Sequence, residues 1–201
     1  RNDGAETLLF RNINFVTSED GVYFIDSNST VGAERYAHNV FVEDCTFTAT
    51  GAAVDSAAAM RIRQGFNISV VNSIATNMHS LMQLYGTAGV NVYGVTVDGK
   101  NGISTGTSTN VVVKNSDIKA AGYGIRMADK ETSNNINIIL ENNNIEAELP
   151  FVARYMNSDD VVDVLFNGAN TLTATNKYGF QLVFTSGDDD TYSDPEGATI
   201  K

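Results

Sequence analysis

Apolar residues recur along this chain in a fixed local arrangement. A polar residue, usually asparagine, precedes two apolar residues two positions apart. A small or amide residue follows, then a further apolar one. The pattern reads Asn39-Val40-Phe41-Val42-Glu43-Asp44-Cys45-Thr46-Phe47 and returns as Asn67-Ile68-Ser69-Val70-Val71-Asn72-Ser73. It returns again as Asn110-Val111-Val112-Val113-Lys114-Asn115-Ser116-Asp117-Ile118, and as Asn137-Ile138-Ile139-Leu140-Glu141-Asn142-Asn143-Asn144-Ile145. Weaker copies surround Phe10, Val92 and Phe166. Alternation with period two marks strands that bury one face. With the second apolar residue as anchor, the copies fall at Phe10, Val42, Val70, Val92, Val113, Leu140 and Phe166, at gaps of 32, 28, 22, 21, 27 and 26 residues. Recurrence of this kind predicts a solenoid with one coil per repeat. The shortest coils suit three short strands and three bends, and the longer coils carry loops. Seven parallel coils about 4.8 Å apart make a rod roughly 30 Å long.

A second strand follows each anchor: Val22-Tyr23-Phe24, Met60-Arg61-Ile62, Met82-Gln83-Leu84, Ile103-Ser104-Thr105, Ile125-Arg126-Met127, Ala153-Arg154-Tyr155 and Phe180-Gln181-Leu182. Strand geometry turns the flanking residues inward and the middle residue outward. Asn12, Asp44, Asn72, Asn115 and Asn142 fall two residues after their anchors, with Gly94 and Gly168 completing the column. Asparagine and glycine tolerate the left-handed backbone that bends require. Amides stacked in this column are expected to bond from coil to coil, a structural role. A β-sandwich also uses short alternating strands, but leaves asparagine in register with the anchors unexplained. Helical periodicity is weak throughout.

Asn-Val-x-Val-x-Asn-Ser-x-Ile at 110–118, followed by Gly-Ile-Arg-Met at 124–127, resembles the pectate-lyase-like right-handed β-helix superfamily. The likeness covers about residues 5 to 185. It implies an all-β fold, a right-handed parallel β-helix of about seven coils. Such coils occur in polysaccharide lyases and hydrolases, epimerases, phage tailspikes and bacterial surface proteins. The resemblance is therefore informative about fold and poor about activity. The asparagine-rich, acidic style also resembles secreted bacterial proteins. Residues 1–185 are expected to form the β-helix domain and residues 186–201 an acidic tail or linker.

Composition narrows the partners. A hydrophobic share of 42 % is enough to build a core. The formal net charge of −11 argues against binding nucleic acid or an anionic membrane, and keeps a surface soluble. One cysteine, Cys45, excludes an intrachain disulfide and reads as a buried structural thiol. No apolar run reaches membrane-spanning length. No signal peptide is present and the chain begins at Arg1, which points to a processed chain or an excised piece with further domains beside it. The expected location is secreted or at the cell surface.

The outward residues of the second strand form one polar column: Tyr23, Arg61, Gln83, Ser104, Arg126, Arg154 and Gln181, with Arg63 and Tyr85 beside it. Arginine forks suit carboxylates and planar polar groups, and tyrosines suit stacking on sugar rings. In the resembling enzymes long acidic glycans lie across such a face. The plain alternative is ordinary sheet surface, with the arginines paired to acids such as Asp129 or Asp55.

Catalytic signatures are sparse. The resemblance implies lyases with a basic residue beside calcium-holding carboxylates. Arg126 and Arg154 suit the base, but no carboxylates line up beside them. Hydrolases need two or three carboxylates in one cleft, and Asp159-Asp160 is the one internal Asp pair. Gly-His-Gly is absent, and Arg61-Ile62-Arg63 is only faintly similar to the Arg-Ile-Lys of polygalacturonases. His38 and His79 lie 41 residues apart without metal spacing and read as turn or surface residues. No cofactor is expected; calcium in the acidic stretch 186–196 is the one weak candidate. Asn28-Ser29-Thr30 and Asn67-Ile68-Ser69 match glycosylation acceptors. Loops at 26–37, 48–57 and 128–134 are the variable recognition elements, and the Ala-rich stretch 51–59 suits a short helix or loop.

These features favour an extracellular, noncatalytic β-helix module that binds or adheres to polysaccharide. The alternatives are a lyase, hydrolase or epimerase acting on an acidic glycan, and a tailspike-like structural module that trimerises through a long apolar flank. The sequence leaves the oligomeric state open.

Overall fold

A computed structural model of the chain describes residues 7–28, 37–128, 135–154, 161–175, 179–183 and 199–200. Apart from one 3₁₀ turn, Gly51–Asp55, the regular elements among these residues are strands. Every strand pairing among them is parallel. That excludes the β-sandwich, whose sheets are antiparallel.

The chain winds through seven coils, each crossing three faces. Face A holds Leu8–Arg11, Ala37–Glu43, 65–71, 87–93, Thr109–Lys114, Asn135–Glu141 and Val161–Asn167. Face B holds Asn14–Thr17, Thr46–Ala49, Ile74–Met78, Thr96–Gly99, 117–120, 144–147 and Thr171–Ala174. Face C holds Tyr23–Asn28, 58–63, 80–85, Ile103–Gly106, 123–128, 149–154 and Phe180–Val183. The architecture is a parallel β-helix. Residues 184–198 lie outside the described part of the chain, and Thr199–Ile200 pair with Val161 and Val162 on face A.

The seven anchors stack in one column. Phe10 pairs with Val42, Val42 with Val70, Val70 with Val92, Val92 with Val113, Val113 with Leu140, and Leu140 with Phe166. The five central anchors are fully buried. Aromatic rings close both ends of this core. Phe15 stacks on Phe47 with centroids 4.9 Å apart at the first coils, and Phe151 stacks on Phe180 at 4.9 Å at the last. Phe10 and Phe24 join the first cluster and Phe166 the second.

The bend from face A to face B is set by the predicted column. Asn12, Asp44, Asn72, Gly94, Asn115, Asn142 and Gly168 all have φ between 49° and 66°. The coil-to-coil ladder, however, runs mainly one residue further on. Ser73 Oγ accepts the Cys45 N–H at 3.2 Å, and Ser116 Oγ accepts the Val95 N–H at 3.3 Å. Asn143 Oδ1 accepts the Ser116 N–H at 3.0 Å, and Asn170 Oδ1 accepts the Asn143 N–H at 3.0 Å. The reason is direction: the non-glycine left-handed residues stay exposed, whereas Ser73, Ser116 and Asn143 point inward and are buried. Buried backbone donors need such partners. Amide stacking does occur at a second left-handed position, held by Asn39, Asn67 and Asn110, where Asn67 donates to Asn39 at 2.6 Å and Asn110 accepts from Asn137 at 3.1 Å.

The Ala-rich stretch forms the 3₁₀ turn beside the face-B strand of the next coil, with Ala53 and Ala57 buried. Of the three expected loops, residues 29–36 and 129–134 lie outside the described residues. Cys45 is buried in the A–B bend, its thiol directed at the carbonyls of Glu43 and Phe10 at 3.3 and 3.5 Å.

Candidate functional site

Face C carries the candidate residues. Met60 and Ile62, Met82 and Leu84, and Ile125 and Met127 are buried, so the residues between them point outward. The observed outward column is Asp26, Arg61, Gln83, Ser104, Arg126, Val152 and Gln181. Five of the expected members hold their places and two do not. Tyr23 pairs with Ala58, and Asp26 takes the place beside Arg61. The first strand turns Ile25 and Ser27 to the positions of Met60 and Ile62, so the apolar triplet Val22-Tyr23-Phe24 is not the matching one. Arg154 pairs with Ala128 and Val183, two residues along from the column, because Phe151 and Ala153 are the inward pair of that coil. The side chain of Arg154 lies outside the described residues. Arg63, Tyr85 and Gly106 form a second outward column beside the first.

Each described arginine on this face lies against a tyrosine. The Arg61 guanidinium is 3.9 Å from the Tyr23 ring centroid, Arg63 is 5.5 Å from Tyr85, and Arg126 is 5.5 Å from Tyr123. Such cation–π pairs hold both groups in place. Arg61 also donates to both carboxylate oxygens of Asp26, at 2.9 and 2.6 Å. This hydrogen bond raises the Arg61 pKa above its ordinary value against the opposing effect of burial. Its acidic partner is thus Asp26. Asp129 and the side chain of Asp55 lie outside the described residues.

Gln83 is held by Ser80 Oγ at 3.2 Å and lies 3.4 Å from His79 Nδ1. His79 stands at the B–C bend, with Asn101 Nδ2 3.5 Å from its Nε2. Asn101 Oδ1 in turn accepts the Tyr123 N–H at 3.2 Å. His79 and Asn101 thus connect Gln83 to Tyr123. Sequence spacing gave no signal for this, because the chain turns between His79 and Gln83. His38 lies on face A instead, its ring edge-on to Phe66 with centroids 3.9 Å apart.

The two halves of the face differ. In coils 2 and 3 it is open: Arg63 is exposed and Tyr85 is 43 % exposed. A Cβ on Gly106 would come within 2.9 Å of Tyr85 Cδ1, so the ring lies across the bare glycine. Arg63 flanks it from the coil before. At Ser104 and Val152, only 4 % and 1 % exposed although both belong to the outward column, the face is covered. Arg126 Nε and Gln181 Oε1 are enclosed there without a hydrogen-bond partner among the described residues. No group of three or more His, Cys, Asp or Glu among the described residues is placed to hold a metal ion. No helix among them is long and apolar enough to cross a membrane.

The coil period, the anchor column and the three parallel faces agree with a match to the family model of the right-handed β-helix region over residues 2–188. The chain belongs to the right-handed β-helix family. Searches of curated proteins and of solved structures returned no match. Within this right-handed β-helix, Tyr123, Gly106 and Asp26 join the face without having been singled out by sequence. Their signal was the coil register, visible once the strands are paired. Of the two glycosylation motifs, the side chain of Asn28 lies outside the described residues and Asn67 is engaged with Asn39.

Proposed function

We propose that this β-helix is a noncatalytic module of a secreted or surface protein, binding polysaccharide across face C. The supporting observation is the Tyr85 ring, laid against Gly106, 43 % exposed and with the Arg63 guanidinium 5.5 Å from its centroid. A ring fixed in this way offers an apolar plane to the C–H face of a sugar, and the guanidinium beside it offers paired donors to hydroxyl or carboxylate oxygens. Further polar side chains, Gln83 and Arg126, stand in the adjacent outward column.

The test is a binding screen against neutral and acidic polysaccharides, with and without calcium, for the wild type and Tyr85→Ala. Binding without new chain ends, weakened about tenfold or more by Tyr85→Ala, supports the reading; tenfold corresponds to ~1.4 kcal/mol. Release of reducing or unsaturated ends that is lost in Arg126→Ala moves the protein to the enzymatic alternative. That alternative draws on the enclosed Arg126 Nε, which has no hydrogen-bond partner among the described residues. No binding to any polymer overturns the proposal.

A further inference from the structure

One outward row of face A, flanked by polar rows, is largely apolar, which the rows of face B are not. That row begins with Leu9 paired to Phe41 and ends with Val112, Ile139 and Leu165 paired in succession. Ser69 and Asn91 stand between these apolar ends. The parallel row on face B, from Asn14 and Thr46 to Asn144 and Thr171, is almost wholly polar. An apolar flank along the length of a soluble solenoid marks a contact surface.

We infer that face A is a two-fold interface on which a second copy of this chain lies antiparallel. The row reads nearly the same in both directions about the fourth coil. With the two-fold axis along the strands there, Leu9 meets Leu165 of the second copy and Phe41 meets Ile139. Asn91 meets Asn91, and Ser69 opposite Val112 is the one mixed pair. In the next outward row Tyr93, itself exposed, meets Tyr93 on the axis. Interfaces of this symmetry use one patch on both copies, so the patch must be self-complementary. Charge on this face is balanced within each copy, although the same two-fold brings Glu43 opposite Glu141 of the second copy. The formal net charge is −11, which opposes association of like copies. On face A, however, Arg11 pairs with Glu43 at 2.6 Å and Lys114 with Glu141 at 2.9 Å, so those charges cancel in place. Six coil steps give a row roughly 29 Å long, and five strand residues a width of roughly 16 Å. The patch is therefore about 500 Å² per copy, at the low end for specific complexes, and sets a weak, concentration-dependent dimer.

Sedimentation equilibrium up to about 500 µM, a range that captures weak interfaces, is the first measurement. The expected result is a monomer–dimer equilibrium, displaced at least tenfold toward monomer by Ile139→Glu. Unchanged melting of that variant shows that the fold is intact. Leu9→Cys and Leu165→Cys proteins, both at exposed positions, mixed and treated with a short bismaleimide, cross-link to each other in the antiparallel arrangement; each alone does not, because its two cysteines stand six coil steps apart, roughly 29 Å. Buried Cys45 keeps the wild-type background low. A wild type that stays monomeric, a trimer, a dimer indifferent to Ile139→Glu, or cross-linking of either cysteine variant alone overturns the inference. Tyr85→Ala leaves the dimer unchanged, so this inference and glycan binding fail separately.

Discussion

Arg61 and Asp26 face each other across adjacent coils, Nε and Nη2 of the arginine each meeting one carboxylate oxygen, at 2.9 and 2.6 Å. The Tyr23 ring backs the guanidinium. Three groups are thereby satisfied with one another rather than with a ligand. Arg61→Ala is expected to cost about 1 kcal/mol of stability, the scale of a partly shielded bidentate pair. Glycan affinity is expected to change less than with Tyr85→Ala. Thermal melts and the same binding assay check both. A loss of affinity equal to that of Tyr85→Ala would show Arg61 to be a ligand contact.

The bend residue Asn115 has φ 49°. Alanine pays a steric cost in this left-handed region, whereas glycine does not. Asn115→Ala is expected to destabilise by about 1 kcal/mol or more, and Asn115→Gly by only a few tenths. Urea midpoints of the two variants measure the difference. Equal midpoints would refute the conformational account of the asparagine column.

Much of this fold was legible because a solenoid repeats one local problem seven times. Each coil needs an inward apolar pair and a residue able to turn left, so Val42, Val70 and Val113 align by inspection. Face C was harder to place, for two reasons. Tyr23 belongs to a strand in which the whole stretch Val22-Tyr23-Phe24-Ile25 is apolar or aromatic, so alternation does not fix its phase. Arg154 follows Phe151-Val152-Ala153, where the outward residue is itself a valine and the polar signal falls two positions late. The Tyr85–Gly106 contact spans two coils and depends on a missing side chain, which leaves no trace in the local pattern. Pairing Arg61 with Asp26 likewise required the register.

Glu141 is expected to give the molecule a small acid sensitivity. Its carboxylate accepts from Lys114 at 2.9 Å and from Asn167 at 3.1 Å, which lowers its pKa below the ordinary 4.5. A carboxyl that is more acidic when folded adds stability above its unfolded pKa. That contribution falls away as pH drops through the lower folded value. The melting difference between wild type and Glu141→Gln should therefore be constant near neutrality and shrink below pH 4.5. Because the group is exposed, the difference is small and screened by salt. A difference that grows on acidification would contradict the direction of the shift.

Ser116 carries a larger share of stability than its size implies. Its hydroxyl donates to the Lys114 carbonyl at 2.8 Å and accepts the Val95 N–H at 3.3 Å, within the buried A–B bend. Ser116→Ala removes the acceptor and leaves the Val95 N–H enclosed, where no water replaces it. Leaving a buried donor unmade costs roughly 1–3 kcal/mol. The comparison is Thr46, whose hydroxyl meets Asn14 Oδ1 at 2.6 Å on the exposed side of face B. Thr46→Ala frees groups that water can satisfy, so its cost stays below about 0.5 kcal/mol. Amide exchange distinguishes the two accounts of Ser116. The Val95 amide should lose protection selectively in Ser116→Ala while its face-A neighbours in the same coil keep theirs. A uniform loss along the coil would mean that the hydroxyl fills space rather than closing the backbone ladder.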